Sequence, residues 1–181
     1  MLNAKDKDTN SKLSDENIRY QIYTFLVAGH ETTSGLLAFT FYLLMNNPDW
    51  MTKVHEEIDS VWGAEEDYEV SHRDIAKFPI IKQVLLETLR LYPSVPLITV
   101  APTEDTTVGK ENYPIAAEQP CLIWAYHLHR DPSIWGEDAE QFNPDNFTPA
   151  NIAKRDQHSF LAFGNGKSCL LYTSPSPRDR G

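Results

Sequence analysis

A mainly α-helical fold with a minor antiparallel β part is predicted by three features of this 181-residue sequence. One continuous helical pattern runs from about Asp15 to Met45. Between Phe78 and Leu91, the apolar positions Ile81, Val84, Leu85 and Leu89 recur at helical spacing. After Pro96 the texture changes to short β-prone pieces set among Pro, Gly and Asn, as small antiparallel hairpins have. The length suffices for one domain with a core.

In chain order, Ser14 suits a helix N-cap, with Asp15 and Glu16 in the first turn where the helix dipole favours them. The helix should stop near Asn46-Asn47, because Pro48 disfavours helical geometry in the residue before it. Pro48 then opens a second helix to about Trp62, stopped by Gly63. Its apolar face is Val54, Ile58 and Val61, and Lys53, Glu56, Glu57 and Asp59 read as solvated. Glu65 to Glu69 reads as an acidic surface loop, and a short helix is expected from Ser71. The helix from Phe78 ends before Pro93. Strands are expected at Leu97 to Val100, Thr106 to Val108 and Leu122 to Ala125. Asp131 to Ser159 is long, polar and proline-containing, and loops of that length are often functional.

The first helix carries an internal conflict. Ile22, Phe25, Leu26 and Val27 precede the stretch Ala28-Gly29-His30-Glu31-Thr32-Thr33, and Leu36, Leu37, Phe39, Phe41, Leu43 and Leu44 follow it. A helix apolar on every side is expected to be buried, and its polar island with it. Buried polar groups cost free energy unless something satisfies or uses them, so the island is a candidate working site. The plain structural alternative is that each Thr bonds back to a carbonyl one turn earlier. Gly29, costing about 1 kcal/mol in a helix interior, together with such Thr bonding could instead open a groove beside a ligand.

Composition excludes some function classes. A net charge of −10 disfavours nucleic acid as a partner. The longest apolar run, Gly35 to Met45, is far short of the ~20 residues of a membrane span. Neither a signal peptide nor a lipidation motif is visible at Met1. The two cysteines, Cys121 and Cys169, imply no disulfide framework, and a reducing, cytoplasmic setting is expected.

Other motifs are open to two readings each. His30-Glu31 begins like the HExxH zinc helix, but Ser34 stands where the second His belongs. Glu87 and Arg90 lie at i, i+3 and face the same way. They are either a surface ion pair of small value or, given Leu85, Leu86, Leu89 and Leu91 around them, a buried pair that needs further hydrogen-bond partners. His127 and His129 lack a third ligand nearby, so ordinary hydrogen bonding is expected of them. Phe163 to Cys169 is a glycine-rich turn leading to a thiol. It fails as a phosphate loop because Leu161 occupies the place of the required upstream glycine.

The order of these motifs carries more than any one of them. A-G-x-E-T-T, then ExxR, then F-x-P-x-x-F at Phe142 to Phe147, then F-G-x-G resembles the cytochrome P450 haem-thiolate monooxygenases. Ser14 to Ile22, the stretch through Gly35, and His129-Arg130-Asp131 resemble the self-sufficient fatty-acid hydroxylases, soluble haem domains fused to a diflavin reductase in bacteria and fungi. The resemblance covers Met1 to about Lys167 and corresponds to less than half of such a haem domain. It implies a partial cytochrome P450 fold, from the long central helix to just before the haem-ligand loop. It also implies haem b as cofactor, with FAD, FMN and NADPH acting through a reductase domain not present in this chain. Implied partners are O2, a small apolar substrate such as a fatty acid, and a diflavin reductase domain or separate reductase. Residue by residue, Thr32 and Glu31 would handle dioxygen and its protons. Ala28, Gly29, Phe163, Gly164 and Gly166 would border the haem, and Phe163 would help tune the iron. Glu87 and Arg90 would brace the ligand loop, and Val95 and Leu97 would line the substrate channel.

The sequence departs from that pattern at its end. The family's loop reads F-x-x-G-x-R-x-C, whereas Cys169 comes one residue early and Ser168 stands in place of Arg. An axial ligand displaced by one residue in a tight loop would miss the iron, so Cys169 is only nominally the metal ligand. Asn146 replaces the usual Arg of P-x-R-F. Cys169 to Asp179 can be encoded by a string that resembles a transposase adapter used in sequencing libraries. The expected organisation is therefore residues 1–168 as a partial haem domain and 169–181 as a non-native tail, with Ser168 standing for a parental Arg.

The leading expectation is a fragment of a monooxygenase that inserts one oxygen atom of O2 into an apolar substrate by fatty-acid hydroxylation, itself inactive as given. Two alternatives stand beside it. One is a cytochrome P450 acting on sterols, terpenes or xenobiotics with a separate reductase. The other is a non-catalytic helical interaction domain.

Overall fold

The structure, a computed structural model, describes residues 5, 10–63 and 71–164. Its first element, α1, is a 32-residue helix over Asp15–Asn46. Ser14 sits extended before it, and its hydroxyl oxygen accepts the Asn17 N–H at 3.2 Å, the cap expected of that residue. Asn47 closes α1, and Pro48 begins α2 (Pro48–Trp62), where its missing N–H is no loss. Gly63 ends α2 at φ +63°, a left-handed conformation that glycine adopts without strain. A 3-10 turn at His72–Lys77 starts with a reciprocal cap, in which the Asp74 carboxylate accepts the Ser71 N–H at 2.9 Å. Helix α3 spans Pro79–Leu91.

Helix α3 is the axle of the fold, packing against α1, α2 and the turn at Pro144–Phe147. Two apolar clusters form around it. Leu44, Val54 and Val84 meet where α1, α2 and α3 converge, supported by Trp50, Ile58 and Ile81. Trp135, Ala139 and Phe147 form the second, with Leu86 and Phe160 packed on them. The Thr40 hydroxyl of α1 donates to Thr88 Oγ1 of α3 at 3.3 Å, so the helix contact carries a satisfied polar pair as well.

Two expectations are corrected here. Glu57, expected on the solvated face of α2, is buried at 7% exposure. Its carboxylate oxygens accept the N–H groups of Ile80 at 2.7 Å and Ile81 at 2.9 Å, the orphan donors in the first turn of α3. The polar island and the apolar residues before it were expected to be buried, yet Phe25, Leu26 and Val27 are exposed and so is most of Ala28 to Thr33. Helix α1 buries Thr40, Leu43 and Leu44 in its C-terminal part, against α2 and α3. Among the described residues its N-terminal half buries Ile18 alone.

The β part is minor and antiparallel, as expected, with one strand more than the sequence suggests. Strand β1 (Leu97–Val100) pairs antiparallel with β4 (Cys121–Trp124), Leu97 opposite Trp124. Between them, β2 (Thr106–Val108) and β3 (Tyr113–Ile115) form their own hairpin. Strand β3 contains Pro114 and was not expected, and Ala125 belongs to the short helix α4 (Ala125–Leu128) rather than to a strand. The polar stretch after Asp131 is a series of capped turns. Asp131, Asn143, Thr148 and Asp156 each accept a backbone N–H at the start of α5 (Pro132–Trp135), Pro144–Phe147, α6 (Pro149–Ile152) and Gln157–Ser159. Local side-chain caps thus replace long-range ladders there. The loop Glu65 to Glu69, Gly166, Ser168, Cys169 and the 169–181 segment lie outside the described residues. No described helix is long and apolar enough to cross a membrane.

Candidate functional site

Two neighbouring arrangements draw on the motifs. The first is an open cleft of about 470 Å³ between α1 and the turn that follows α3. Glu31, Thr32, Gly35 and Phe39 line it from α1, and Tyr92, Pro93, Ser94, Pro96 and Tyr126 from the other side. On a helix of 3.6 residues per turn, Ala28, Thr32, Gly35 and Phe39 fall on one stripe. Its members are small until Phe39, whose ring stacks on Tyr92 with centroids 4.2 Å apart and closes one end. A Cβ on Gly29 or Gly35 would meet nothing within 4 Å. Helix α1 passes through the island uninterrupted, so the glycine does not break it.

Within the cleft, the Thr32 hydroxyl donates to the Ala28 carbonyl at 2.6 Å. This is the local back-bond anticipated as the plain alternative, and it leaves the oxygen's lone pairs available toward the cleft. Ser94, which the motifs did not single out, donates to the Thr32 carbonyl at 3.2 Å and so ties the post-α3 turn to the island. Only the flanking prolines signalled that turn in the sequence. Val95 and Leu97 are exposed beside the prolines and Ser94 that line the cleft.

The second arrangement is built on Glu87 and Arg90, both 0% exposed. The pair is bidentate: Arg90 Nε donates to Glu87 Oε2 at 2.8 Å and Nη2 to Oε1 at 2.7 Å. Its remaining donors reach the carbonyls of His129 at 2.7 Å, Ala139 at 2.6 Å and Gln141 at 3.0 Å. Glu87 also accepts the Asn143 N–H at 2.8 Å and the Asn146 amide at 3.2 Å. The surface reading of ExxR is therefore excluded, and the partners a buried pair requires are all present. Burial pushes the Glu87 carboxyl up, against Arg90 and the Asn143 and Asn146 donors, which pull it down. Asn146, in the place of the family's Arg, still reaches Glu87, and Arg155 donates to the Asn146 carbonyl while its guanidinium lies 4.3 Å from the Trp135 ring centroid.

Each residue of His129-Arg130-Asp131 has a separate task. Arg130 donates to the Leu91 carbonyl and, at 2.9 Å, to Glu140. Asp131 caps α5 through the Ser133 N–H at 2.9 Å, and the Ser133 bonds hold its carboxyl below the usual range. His129 is buried, and its Nε2 accepts the Leu161 N–H at 2.9 Å. Burial lowers the His129 pKa to about 4. His127 instead meets Trp124 edge-on, so the two histidines do not converge. Among the described residues no group of three or more His, Cys, Asp or Glu side chains is placed so as to hold a metal ion.

From Leu161 the chain turns toward the glycine-rich loop. Gly164 donates to the Leu161 carbonyl at 3.0 Å with φ +78°, so this turn directly after Phe163 suits a glycine. Phe163 and Gly164 are half-buried here, while Gly166 and Cys169 lie beyond the described residues. A large flat apolar group such as haem needs a wall of small side chains with open space before it. The Thr32–Gly35 side of α1, with Ala28 on the same stripe, fits that need, with no packed side chain to displace at Gly35. Gly29 lies off the stripe, about 100° around the helix from Ala28.

Comparisons with known proteins converge on one family. The family model for Cytochrome P450 matches residues 1–170. The chain is 46% identical over 172 residues to a bifunctional cytochrome P450/NADPH–P450 reductase of Bacillus subtilis, and 42% identical over 172 residues to one of Bacillus cereus. It is 41% identical over 171 residues to a self-sufficient cytochrome P450 monooxygenase of Phanerodontia chrysosporium. Each alignment covers 94% of this chain but 16% of the relative, so the chain spans about a sixth of the length of the proteins it matches. The chain belongs to the cytochrome P450 family.

Proposed function

We propose that this chain is a segment of a haem-dependent monooxygenase that hydroxylates an apolar substrate, a fatty acid or similar long chain. Electrons would come from NADPH through FAD and FMN in a fused reductase domain outside the chain. The observation that carries the reading is the small-residue stripe of α1, with one hydroxyl facing an open and mostly apolar cleft. The fused arrangement is supported by relatives that carry both activities in their names. In the sterol, terpene or xenobiotic alternative the reductase is a separate protein, and a reductase domain encoded after the haem domain in the parent gene would decide against it. Residues 1–168 form the haem-domain part of this proposal, with 169–181 a foreign tail, and the cytoplasmic setting belongs to it too. Resequencing the parent locus tests the tail, which predicts Arg in place of Ser168 and a different sequence after it.

When bound, haem iron supplies dioxygen activation. Ala28 and Gly29 would border it with little bulk, and Phe163, Gly164 and Gly166 would border its other side. Thr32 holds its hydroxyl proton on the Ala28 carbonyl and offers its lone pairs to a water or oxygen atom in the cleft. Rotation of that hydroxyl would release the proton into the cleft instead. Glu31, exposed at the rim, would pass protons inward from solvent. Val95 and Leu97 would offer apolar surface to the substrate. Glu87 and Arg90 do not line the cleft and would brace the loop that leads to the thiolate.

In the full-length protein, Thr32→Ala should cut hydroxylated product per NADPH consumed by about tenfold or more, while Thr32→Ser retains most of it. Equal coupling in Thr32→Ala and the parent would remove Thr32 from the proton route.

A further inference from the structure

We infer that His129 is a positioning residue, whose imidazole Nε2, by accepting the Leu161 N–H, sets the course of the chain into the Phe163–Gly164 turn. The inference rests on the reading of that turn as the start of the haem-ligand loop, and assigns the His129 side chain a part in it.

Four observations meet at this residue. The imidazole is fully buried, and its Nε2 accepts a hydrogen bond from a backbone N–H 32 positions away, at 2.9 Å. Leu161 is thereby fixed at both ends of its own unit, because its carbonyl accepts the Gly164 N–H at 3.0 Å. The neighbouring Phe160 ring stacks on the imidazole with centroids 5.1 Å apart. The His129 carbonyl accepts from Arg90 at 2.7 Å, so backbone and side chain of one residue join the Glu87–Arg90 pair to the loop.

Chemistry restricts what can stand there. A neutral imidazole that accepts at Nε2 carries its proton on Nδ1, and among the described residues that N–H is influenced by the Arg90 and Leu89 backbone carbonyls without forming a full hydrogen bond. Nδ1 is thus only weakly satisfied, a cost tolerated where the other nitrogen is needed. Burial, reinforced by the nearby Arg90 and Arg130 cations, keeps the ring neutral at ordinary pH and its acceptor free. An apolar side chain of similar size would fill the space and leave the Leu161 N–H buried without an acceptor.

The test uses the full-length, haem-loaded protein and reads two signals from each sample: amide hydrogen exchange across Ser159–Gly164, and the ferrous–carbon monoxide spectrum. In the parent protein the Leu161 amide should exchange at least about tenfold more slowly than an unstructured amide. His129→Leu should abolish that protection while leaving Leu43 and Leu44 of α1 protected, and should speed loss of the thiolate-type band. His129→Gln, which restores an acceptor, should recover both signals. The inference is overturned if the parent's Leu161 amide exchanges freely, if His129→Gln behaves like His129→Leu, or if His129→Leu loosens α1 to the same degree. Absence of a thiolate-type band in the parent defeats the functional reading instead, and the exchange data still decide the His129–Leu161 bond.

Discussion

His129 and Arg90 show how much one side chain can be asked to hold when it is sealed from water. Arg90 uses its donors on one carboxylate and three carbonyls. Removing either member of the Glu87–Arg90 pair would strand a buried charge, a loss on the order of 3–5 kcal/mol. For His129, the pKa of about 4 lies below its ordinary 6.5 because burial disfavours the charged ring. The carbonyls of Arg90 and Leu89 act in the opposite direction. The unfolded chain therefore binds a proton at higher pH than the folded one, and stability contributed by the neutral ring is lost as pH falls from 6.5 toward 4. The full window is worth up to about 3 kcal/mol. Chemical denaturation of the full-length protein at pH 7 and pH 4.5 should show a loss in the parent that His129→Gln, lacking the titrating ring, shows to a smaller degree. Equal losses in both would assign the acid sensitivity elsewhere.

At the scale of elements, the joint between α2 and α3 depends on a capping group contributed from another helix. Helix α3 begins at Phe78-Pro79 with no side-chain cap of its own, and Glu57 of α2 supplies the acceptor for its first-turn N–H groups. The carboxylate also sits at the positive end of the α3 dipole. Glu57→Ala should destabilise the fold by about 1–2 kcal/mol, with Glu57→Gln losing less because its amide oxygen can still accept one bond. Equilibrium urea denaturation checks this, and a midpoint unchanged in Glu57→Ala would refute the capping role. Glu57 also marks where the sequence stops being legible. Ser14, Pro48 and Gly63 announce helix ends because their effects are local, and those boundaries fall within a residue of expectation. Helical spacing from Val54 and Val61 sets Glu57 at the edge of the apolar face, but its charge reads as solvated because the partners that bury it lie 23 and 24 residues away. Strand β3 was hidden for a related reason. Pro114 argues against a strand, and only the pairing with β2 makes one. The Glu87–Arg90 spacing was legible, but its burial depended on carbonyls 39 to 51 residues away.

For the whole molecule, α1 determines behaviour. Its pattern announced a helix fit for burial all round, and a pattern specifies which faces can be covered without specifying which residues cover them. Among the described residues Tyr20, Tyr23, Phe25, Leu26 and Val27 stay exposed along one half of that helix. Contiguous apolar surface of this kind promotes association. The 181-residue chain expressed alone should therefore elute well above its 20.7 kDa monomer mass and bind hydrophobic dyes strongly. A monomeric, dye-silent species would mean that the exposed face is covered in solution. The same face, together with the Thr32 cleft and the braced turn at Phe163, is what the haem reading assembles into a pocket. The most direct measurement is the reduced, carbon monoxide-bound absorption spectrum of the purified full-length parent protein. A red-shifted Soret band of thiolate-ligated haem is the predicted result. A full-length protein that folds yet shows no such band would contradict the account.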